Sequence, residues 1–323
     1  IHKQIIGIMD KYGEKYSGDS MFVADCRQLQ SMYRVEVNET IRPYKGRDGK
    51  THYYGNYISD GEKSGNNFLT NYAFRYATER VTNKKEYETI EQDRLFNNLL
   101  SSQPMAFNLF CPLREMLEKS PEAATAAIKA ALPMYPIHSV TDVDLEFIPE
   151  DYDKLSGDKS AMDAIIRFVD DSGQKGFIAI ETKYSENLGT NVALEKGTNK
   201  PRAKSLETVR RLKCFKPDIE GRITEGQIRL TQIYRNFLLS ESYGSRYGLD
   251  SYSIILAPAR HPSTGKEVDS LRKELREEYK NKIDSISLED FVERILTNCP
   301  EEYKEIFKRF IDRYLGFDKL KSL

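Results

Sequence analysis

The sequence predicts a mixed α/β (α+β) fold in which a central sheet is flanked by helices. Alternating apolar and polar residues in HSVTDVDLEFIPE, AMDAIIRFV and GFIAIETK are typical of three successive strands. Apolar residues recur at helical spacing before these strands, in YETIEQDRLFNNLLSS, and after them, in ITEGQIRLTQIYRNFLLSE. The apolar run SYSIILAP then predicts a buried fourth strand.

The connecting segments support this order of elements. A helix is predicted in KSPEAATAAIKAALP, where Ser120 can cap the start, Pro121 suits the first helical position and Pro133 stops the helix. The turn-rich link DDSGQK predicts a hairpin between the second and third strands. Charged amphipathic patterns in LRKELREEYKNKI, SLEDFVERIL and EEYKEIFKRFIDRYL predict C-terminal helices.

Length and composition fit a folded chain, since its 323 residues are 39% hydrophobic and 31% charged. We predict an N-terminal elaboration over residues 1–83, a core over 84–260 and a C-terminal helical segment over 261–323 that packs on the core. The net charge of −1 gives no argument for a nucleic-acid partner, which would need a local basic patch.

The expected location is the reducing cytoplasm. The four cysteines are far apart and form no CxxC pair, which argues against a disulfide framework and a structural zinc site. No apolar run approaches the roughly 18 residues of a membrane span, and no secretory signal is evident.

The candidate catalytic residues lie on the two strands of the predicted hairpin. Strand alternation places Glu181 and Lys183 on one face, roughly 7 Å apart along the strand. Asp163 is an isolated acid on the preceding strand and should lie opposite Glu181 or within two residues of it. Facing carboxylates raise each other's pKa, and a hard cation such as Mg²⁺ relieves that conflict. A neighbouring lysine can orient an attacking water, so the set suits phosphodiester hydrolysis.

Acid-x-Lys triplets are common in so charged a chain. Further copies stand at Asp48-Gly49-Lys50, Glu278-Tyr279-Lys280 and Glu302-Tyr303-Lys304. The copy at Glu181 alone follows an apolar strand with an acid on its hairpin partner, although strands also often end on charged residues. A catalytically inactive nucleic-acid-binding or interaction module is therefore the alternative to an enzyme, and RNA is an alternative substrate to DNA.

The order helix, three strands, helix, strand, with Asp163 on the second strand and Glu181-Thr182-Lys183 on the third, resembles the PD-(D/E)xK nuclease superfamily. Type II restriction endonucleases and archaeal Holliday-junction resolvases belong to it. The resemblance covers about residues 84–260 and implies a restriction-endonuclease-like core, although Met162 replaces the family's proline. It implies that Asp163 and Glu181 bind Mg²⁺ (or Mn²⁺), that the Thr182 carbonyl completes the site and that Lys183 is the catalytic lysine.

Two further catalytic candidates follow from the resemblance. Some members place a Glu of the first core helix near the metal, which points to Glu91, with Glu88 one turn earlier as runner-up. Others carry a Gln on the helix after the acid-x-Lys strand, which points to Gln227. Each of these residues is equally well explained as an ordinary solvated polar residue.

A basic excess between the catalytic strand and the next helix predicts nucleic-acid binding, with a solvated loop as the alternative. The candidate residues are Lys196, Lys200, Arg202, Lys204, Arg210, Arg211 and Lys213. The polar residues of SSQPMAFN could line the same cleft or cap a helix. The resulting prediction is a Mg²⁺-dependent DNA endonuclease, with a homodimer through the C-terminal helices as a candidate assembly.

Overall fold

The computed structural model describes residues 11–46, 48–189 and 192–322. Its strands, in chain order, are β1 (Tyr44–Lys45), β2 (Thr51–His52), β3 (Ser139–Phe147), β4 (Met162–Val169), β5 (Lys175–Thr182), β6 (Asp250–Ala257) and β7 (Ile283–Ser287). Strands β3 to β7 form a five-stranded mixed sheet in that order, and β1 and β2 form a separate hairpin. Strands β3, β4 and β5 are antiparallel neighbours, whereas β6 and β7 continue the sheet parallel to β5.

Helices surround this sheet. They are α1 (Met21–Glu36), α2 (Gly61–Ser64), α3 (Asn71–Thr82), α4 (Gln92–Asn97), α5 (Ser102–Lys119), α6 (Pro121–Ala131), α7 (Ala203–Leu212), α8 (Ile219–Thr224), α9 (Gln232–Tyr247), α10 (Thr264–Glu274), α11 (Leu288–Asn298) and α12 (Glu301–Tyr314). Short 3₁₀ segments occupy Tyr152–Lys154, Glu277–Lys282 and Phe317–Ser322. Among the residues described, no helix is both long and apolar enough to cross a membrane.

Strand β5 is buried on both faces because helices cover both sides of the sheet. Its alternate residues enter different apolar clusters, as strand geometry requires. Ile178 and Ile180 pack into the cluster that contains α5, α6 and α11. Phe177 and Ala179 face the other side, where Leu239 of α9 covers them. The site at the end of β5 is therefore held between two packed layers.

The predicted α/β architecture, the first four strands of the sheet and the DDSGQK hairpin are confirmed. The helix starting at Pro121 is confirmed as well. The predicted helix over YETIEQDRLFNNLLSS is wrong, since α4 covers only six residues. Asn97 and Asn98 interrupt it, because their side-chain oxygens accept hydrogen bonds from backbone N–H groups of Gly61 and Leu100.

Two other predicted helices also differ. The pattern that starts at Ile223 is split, because Gly226 takes a left-handed φ of 75° and α9 starts only at Gln232. In LRKELREEYKNKI, α10 stops at Glu274 and the chain continues into the 3₁₀ segment and β7. Parallel pairing of β7 with β6 outweighs the local helical pattern there.

The terminal regions share one core with the sheet. Phe22 of α1 and Phe307 of α12 belong to the same apolar cluster as Ile178 of β5. Polar contacts add to this packing, because Gln30 on α1 donates hydrogen bonds both to the Tyr184 hydroxyl and to the Arg313 carbonyl. The first and last segments of the described chain are thus tied directly to the end of β5.

We expect Arg313→Ala to lower the free energy of unfolding by about 3 kcal/mol, because Arg313 is buried and hydrogen-bonded through all three of its guanidinium nitrogens. Its guanidinium donates to Gln30 and twice to Asn67, and lies 3.9 Å from the ring centroid of Tyr33. Urea unfolding measures the loss. Lys308→Ala on the exposed face of the same helix is the control and should change stability by less than about 0.5 kcal/mol; an equal effect would contradict the assigned role.

Candidate active site

Strand register brings the predicted acids together. Ala164 of β4 pairs with Ile180 of β5, which places Asp163 opposite Glu181 at the next position of the antiparallel ladder. Asp163 Oδ2 accepts hydrogen bonds from the Thr182 backbone N–H at 2.7 Å and from the Thr182 hydroxyl at 2.8 Å. The side chain of Asp163 is therefore fixed by the strand that carries the acid-x-Lys triplet.

Glu181 is only 4% exposed and hydrogen-bonded at both oxygens. Its Oε1 lies 2.6 Å from Lys183 Nζ and accepts a 2.7 Å hydrogen bond from Gln232, while Oε2 accepts one of 2.6 Å from Asn236. Gln232 and Asn236 are four residues apart on α9, so they lie on one face of that helix. Helix α9 thereby orients the carboxylate.

A third buried acid, Glu146, completes the acidic cluster and was missed in the sequence. It lies near the end of β3, where its φ of 52° is rare for a residue other than glycine. Gln103 at the start of α5 donates a 3.0 Å hydrogen bond to its carboxylate, and Arg80 donates to its backbone carbonyl. Regular strand alternation with Leu145 and Phe147 would turn Glu146 toward solvent. The sequence pattern therefore gives no sign that Glu146 is buried.

Burial and repulsion from neighbouring carboxylates raise the pKa values of Asp163 and Glu146. Desolvation raises the pKa of Asp163 well above its usual value, and the charges of Glu181 and Glu146 add to the rise. Desolvation likewise raises the pKa of Glu146 to about 7, against the opposing effects of the Gln103 hydrogen bond and of Arg94. Negative charge is thus unfavourable here unless a cation balances it.

Lys183 is held in its charged form. Burial acts to lower its pKa, but the carboxylates of Glu181 and Asp163 outweigh burial and raise the pKa above the usual value. The ammonium group lies 2.6 Å from Glu181 Oε1 and forms a buried ion pair with it.

The three acids face a pocket of about 280 Å³. Besides Lys183, this pocket is lined by Arg94, Lys159 and Arg235. Arg235 is fixed by two hydrogen bonds to Asp158, at 2.6 and 2.8 Å. A pocket that combines carboxylates with several cations suits a phosphate group bound next to a metal ion.

The structure places the secondary candidates differently. Glu91 lines the rim of the pocket, but it is exposed and precedes α4 instead of lying on a helix. Glu88 is also outside a helix and binds Arg80. Gln227 is exposed in a turn, where its amide donates to Glu225, because α9 starts five residues later. The glutamine that hydrogen-bonds to Glu181 is Gln232. In the sequence, its spacing of four residues from Asn236 places the two amides on one helix face, and this spacing is the signal that could have identified them.

The basic segment is partly ordered into α7 rather than forming one loop. Several of its cations are engaged within the protein: Arg202 with Leu194 and Asp158, Lys204 with Glu207, Arg210 with Glu220, and Arg211 with Leu155 and Ser242. Lys196, Lys200 and Lys213 are exposed. Binding of nucleic acid by this segment stays a prediction that these three lysines support best.

As the side chains stand, no group of three or more histidine, cysteine, aspartate or glutamate residues within the described ranges is arranged to hold a metal ion. Glu181 is instead turned toward the donors of α9. One acceptor at the pocket is unused: Gln103 Oε1 is buried and receives no hydrogen bond from any described residue.

Comparison with known proteins gives a family. The family model described as the PD-(D/E)XK nuclease superfamily matches residues 17–316. Searches of curated proteins and of solved structures found no match. The matched region extends beyond the predicted 84–260 at both ends and includes α1 and α12. With the mixed sheet and the Asp163 and Glu181-Thr182-Lys183 pattern on it, the chain belongs to the PD-(D/E)XK nuclease superfamily.

Proposed function

We propose that this protein is a Mg²⁺-dependent endonuclease that hydrolyses phosphodiester bonds in DNA. The observation that carries this proposal is the meeting of Asp163, Glu181 and Lys183 in one pocket of a nuclease-superfamily fold. Burying charged groups opposes folding unless they are paired or bind a ligand. A catalytic role gives a reason for burying these three charged groups together.

The donor set fits a hard divalent cation. Asp163 and Glu181, with Glu146 beside them, offer carboxylate oxygens, which Mg²⁺ and Mn²⁺ prefer. The raised pKa values of Asp163 and Glu146 reflect a repulsion that such a cation would relieve. The unused Gln103 Oε1 is a further oxygen at the same pocket. The Thr182 carbonyl is an additional proposed ligand, and Glu91 is a ligand candidate at the rim.

A bound Mg²⁺ would withdraw charge from the oxygens of the scissile phosphate. The protein's own groups then position the reactants. The charged Lys183 donates a hydrogen bond to a phosphate oxygen and stabilises the negative charge that develops as the water oxygen bonds to phosphorus. The water loses a proton to solvent, the bond from phosphorus to the ester oxygen breaks, and the departing oxygen takes up a proton from solvent. Arg94, Lys159 and Arg235 bind the non-reacting phosphate oxygens. Gln232 holds Glu181 in place, which makes it a positioning residue.

One observation favours the alternative, an inactive module that keeps the nuclease fold: both oxygens of Glu181 are already occupied by protein donors. Calorimetric titration with Mg²⁺ separates the two. An enzyme requires binding that disappears in Asp163→Asn and Glu181→Gln. The inactive module predicts no heat of binding in either the variants or the unaltered protein.

We expect Asp163→Asn, Glu181→Gln and Lys183→Ala each to reduce DNA cleavage by at least about a hundredfold, since each removes a charge that acts in the transition state. Nicking of supercoiled plasmid with Mg²⁺ measures the loss. A matched pair tests the helix assignment: Gln232→Ala should slow cleavage, whereas the exposed Gln227→Ala should not. Normal cleavage by all three charge variants would rule out the proposed site.

The free energy of unfolding should fall as pH rises from about 5 to about 8 without metal. Glu146 has a pKa of about 7 in the folded protein against an ordinary 4.5, so the folded state binds more protons across this interval. Glu146→Gln should flatten the dependence. Added Mg²⁺ should restore stability near the upper end, more in the unaltered protein than in Glu146→Gln. Thermal unfolding in buffers with EDTA or Mg²⁺ provides the measurement.

Binding to duplex DNA should depend on the exposed lysines of the basic segment. We expect Lys196→Ala and Lys200→Ala each to weaken binding for all sequences alike and to reduce the salt dependence by about one counterion. Arg210→Ala is the matched control, because Arg210 is already paired with Glu220. Equal losses of DNA affinity in all three variants would contradict the distinction between exposed lysines that bind DNA and an arginine that is paired within the protein.

A further inference from the structure

A second cleft, the aromatic cleft, lies by the β1–β2 hairpin and the start of α1, outside the catalytic pocket. It has a volume of about 740 Å³, within the size range of ligand sites. Its walls include Tyr16, Tyr44, Tyr54, Tyr57 and His52. Tyr16 and Tyr44 remain 49% and 38% exposed. Several partly exposed rings in one concavity are typical of a binding surface rather than of a core.

The rings of the aromatic cleft form ordered flat surfaces. Tyr44 and Tyr57 stack with centroids 5.2 Å apart and planes within 7°. His52 and Tyr54 stack at 5.1 Å, again within 7°. The Arg27 guanidinium lies 5.3 Å from the Tyr54 ring centroid. Flat π surfaces with an adjacent guanidinium are the groups on which planar heteroaromatic molecules stack.

The charges of the cleft argue against a phosphate as its main ligand. Its cations, Lys15 and Arg27, are balanced by the carboxylates of Glu14 and Asp48. Arg27 is moreover engaged by Asp19 through two hydrogen bonds. A polyanion site needs an excess of positive charge, whereas a neutral ring with hydrogen-bonding edges suits balanced polar walls. A nucleobase meets that description.

The aromatic cleft shares a structural segment with the catalytic pocket. Tyr57 forms a backbone bridge with Asn98, and the Asn56 amide donates a 2.8 Å hydrogen bond to the Asn98 side chain. Arg94, four residues before Asn98, lines the catalytic pocket and donates to Ser101. One hydrogen-bonded segment therefore connects the cleft wall with the rim of the pocket.

We propose that the aromatic cleft binds an unpaired nucleobase of the DNA that the catalytic pocket cleaves, an assignment that rests on the proposed nuclease function. Base stacking on Tyr44 and Tyr16 needs a base that is outside the duplex, because a paired base already has both faces covered. Exposed Lys45 and Lys50 of the same hairpin are available to the adjoining phosphates. The substrate is accordingly DNA with an unpaired base or a single-stranded segment.

Fluorescence anisotropy in EDTA, without cleavage, tests this assignment. The probes are a fully paired DNA duplex and the same duplex with one unpaired adenine. The unaltered protein should prefer the second probe, and Tyr44→Ala should weaken that binding about tenfold. Tyr44→Phe keeps the ring and should retain binding. Tyr53→Ala, a neighbouring tyrosine that is 37% exposed and not among the lining residues, is the matched control and should also retain it.

Tyr16→Ala repeats the binding test at a second ring of the cleft. Thermal unfolding of each variant confirms that it is folded. Equal affinity for both probes in the unaltered protein, or unchanged binding by Tyr44→Ala and Tyr16→Ala, would overturn the assignment. Cleavage of the same two duplexes in Mg²⁺ separates this result from the proposed function. Cleavage that requires Asp163 without tyrosine-dependent binding refutes the cleft alone, whereas tyrosine-dependent binding without cleavage refutes the nuclease activity alone.

Discussion

The register of the β4–β5 hairpin is the constraint on which the candidate site depends. Successive side chains in a strand face opposite sides, so a slip of one residue would move Glu181 away from Asp163. The turn fixes the register: the Asp170 side chain accepts backbone hydrogen bonds from Ser172 and Gln174, and Gly173 supplies the left-handed φ of 85°. A surface turn thus determines the geometry at the opposite end of the hairpin.

That register places acidic side chains close together, and the surrounding structure holds them there despite their mutual repulsion. Asp163, Glu181 and Glu146 are acids held close together in a poorly solvated pocket, and the pKa values of Asp163 and Glu146 stay raised despite the opposing charges of Lys183 and Arg94. Helix α9 supports Glu181 through amide donors, and Gln103 supports Glu146. Such neutral donors orient carboxylates without cancelling their charge.

The N-terminal and C-terminal helices stabilise the end of β5 through contacts with Tyr184. Tyr184 directly follows Lys183, is fully buried and bonds to Gln30 of α1, which in turn bonds to Arg313 of α12. The family match from residue 17 to residue 316 agrees with a fold in which these helices belong to the same unit as the sheet. The predicted boundaries at residues 83 and 260 follow changes in sequence pattern, whereas the packing crosses both of them.

Local patterns in the sequence determined the strands from β3 to β6, their hairpin and the pairing of Asp163 with Glu181 and Lys183, because alternation and turn chemistry act over a few residues. Tertiary structure decided three other features: strand β7, the start of α9 at Gln232 and the inward orientation of Glu146. Each depends on a partner distant in sequence: β6 for the strand, Glu181 for Gln232, and Gln103 for Glu146. Local periodicity carries no information about such partners, since their contacts form only when the layers pack together.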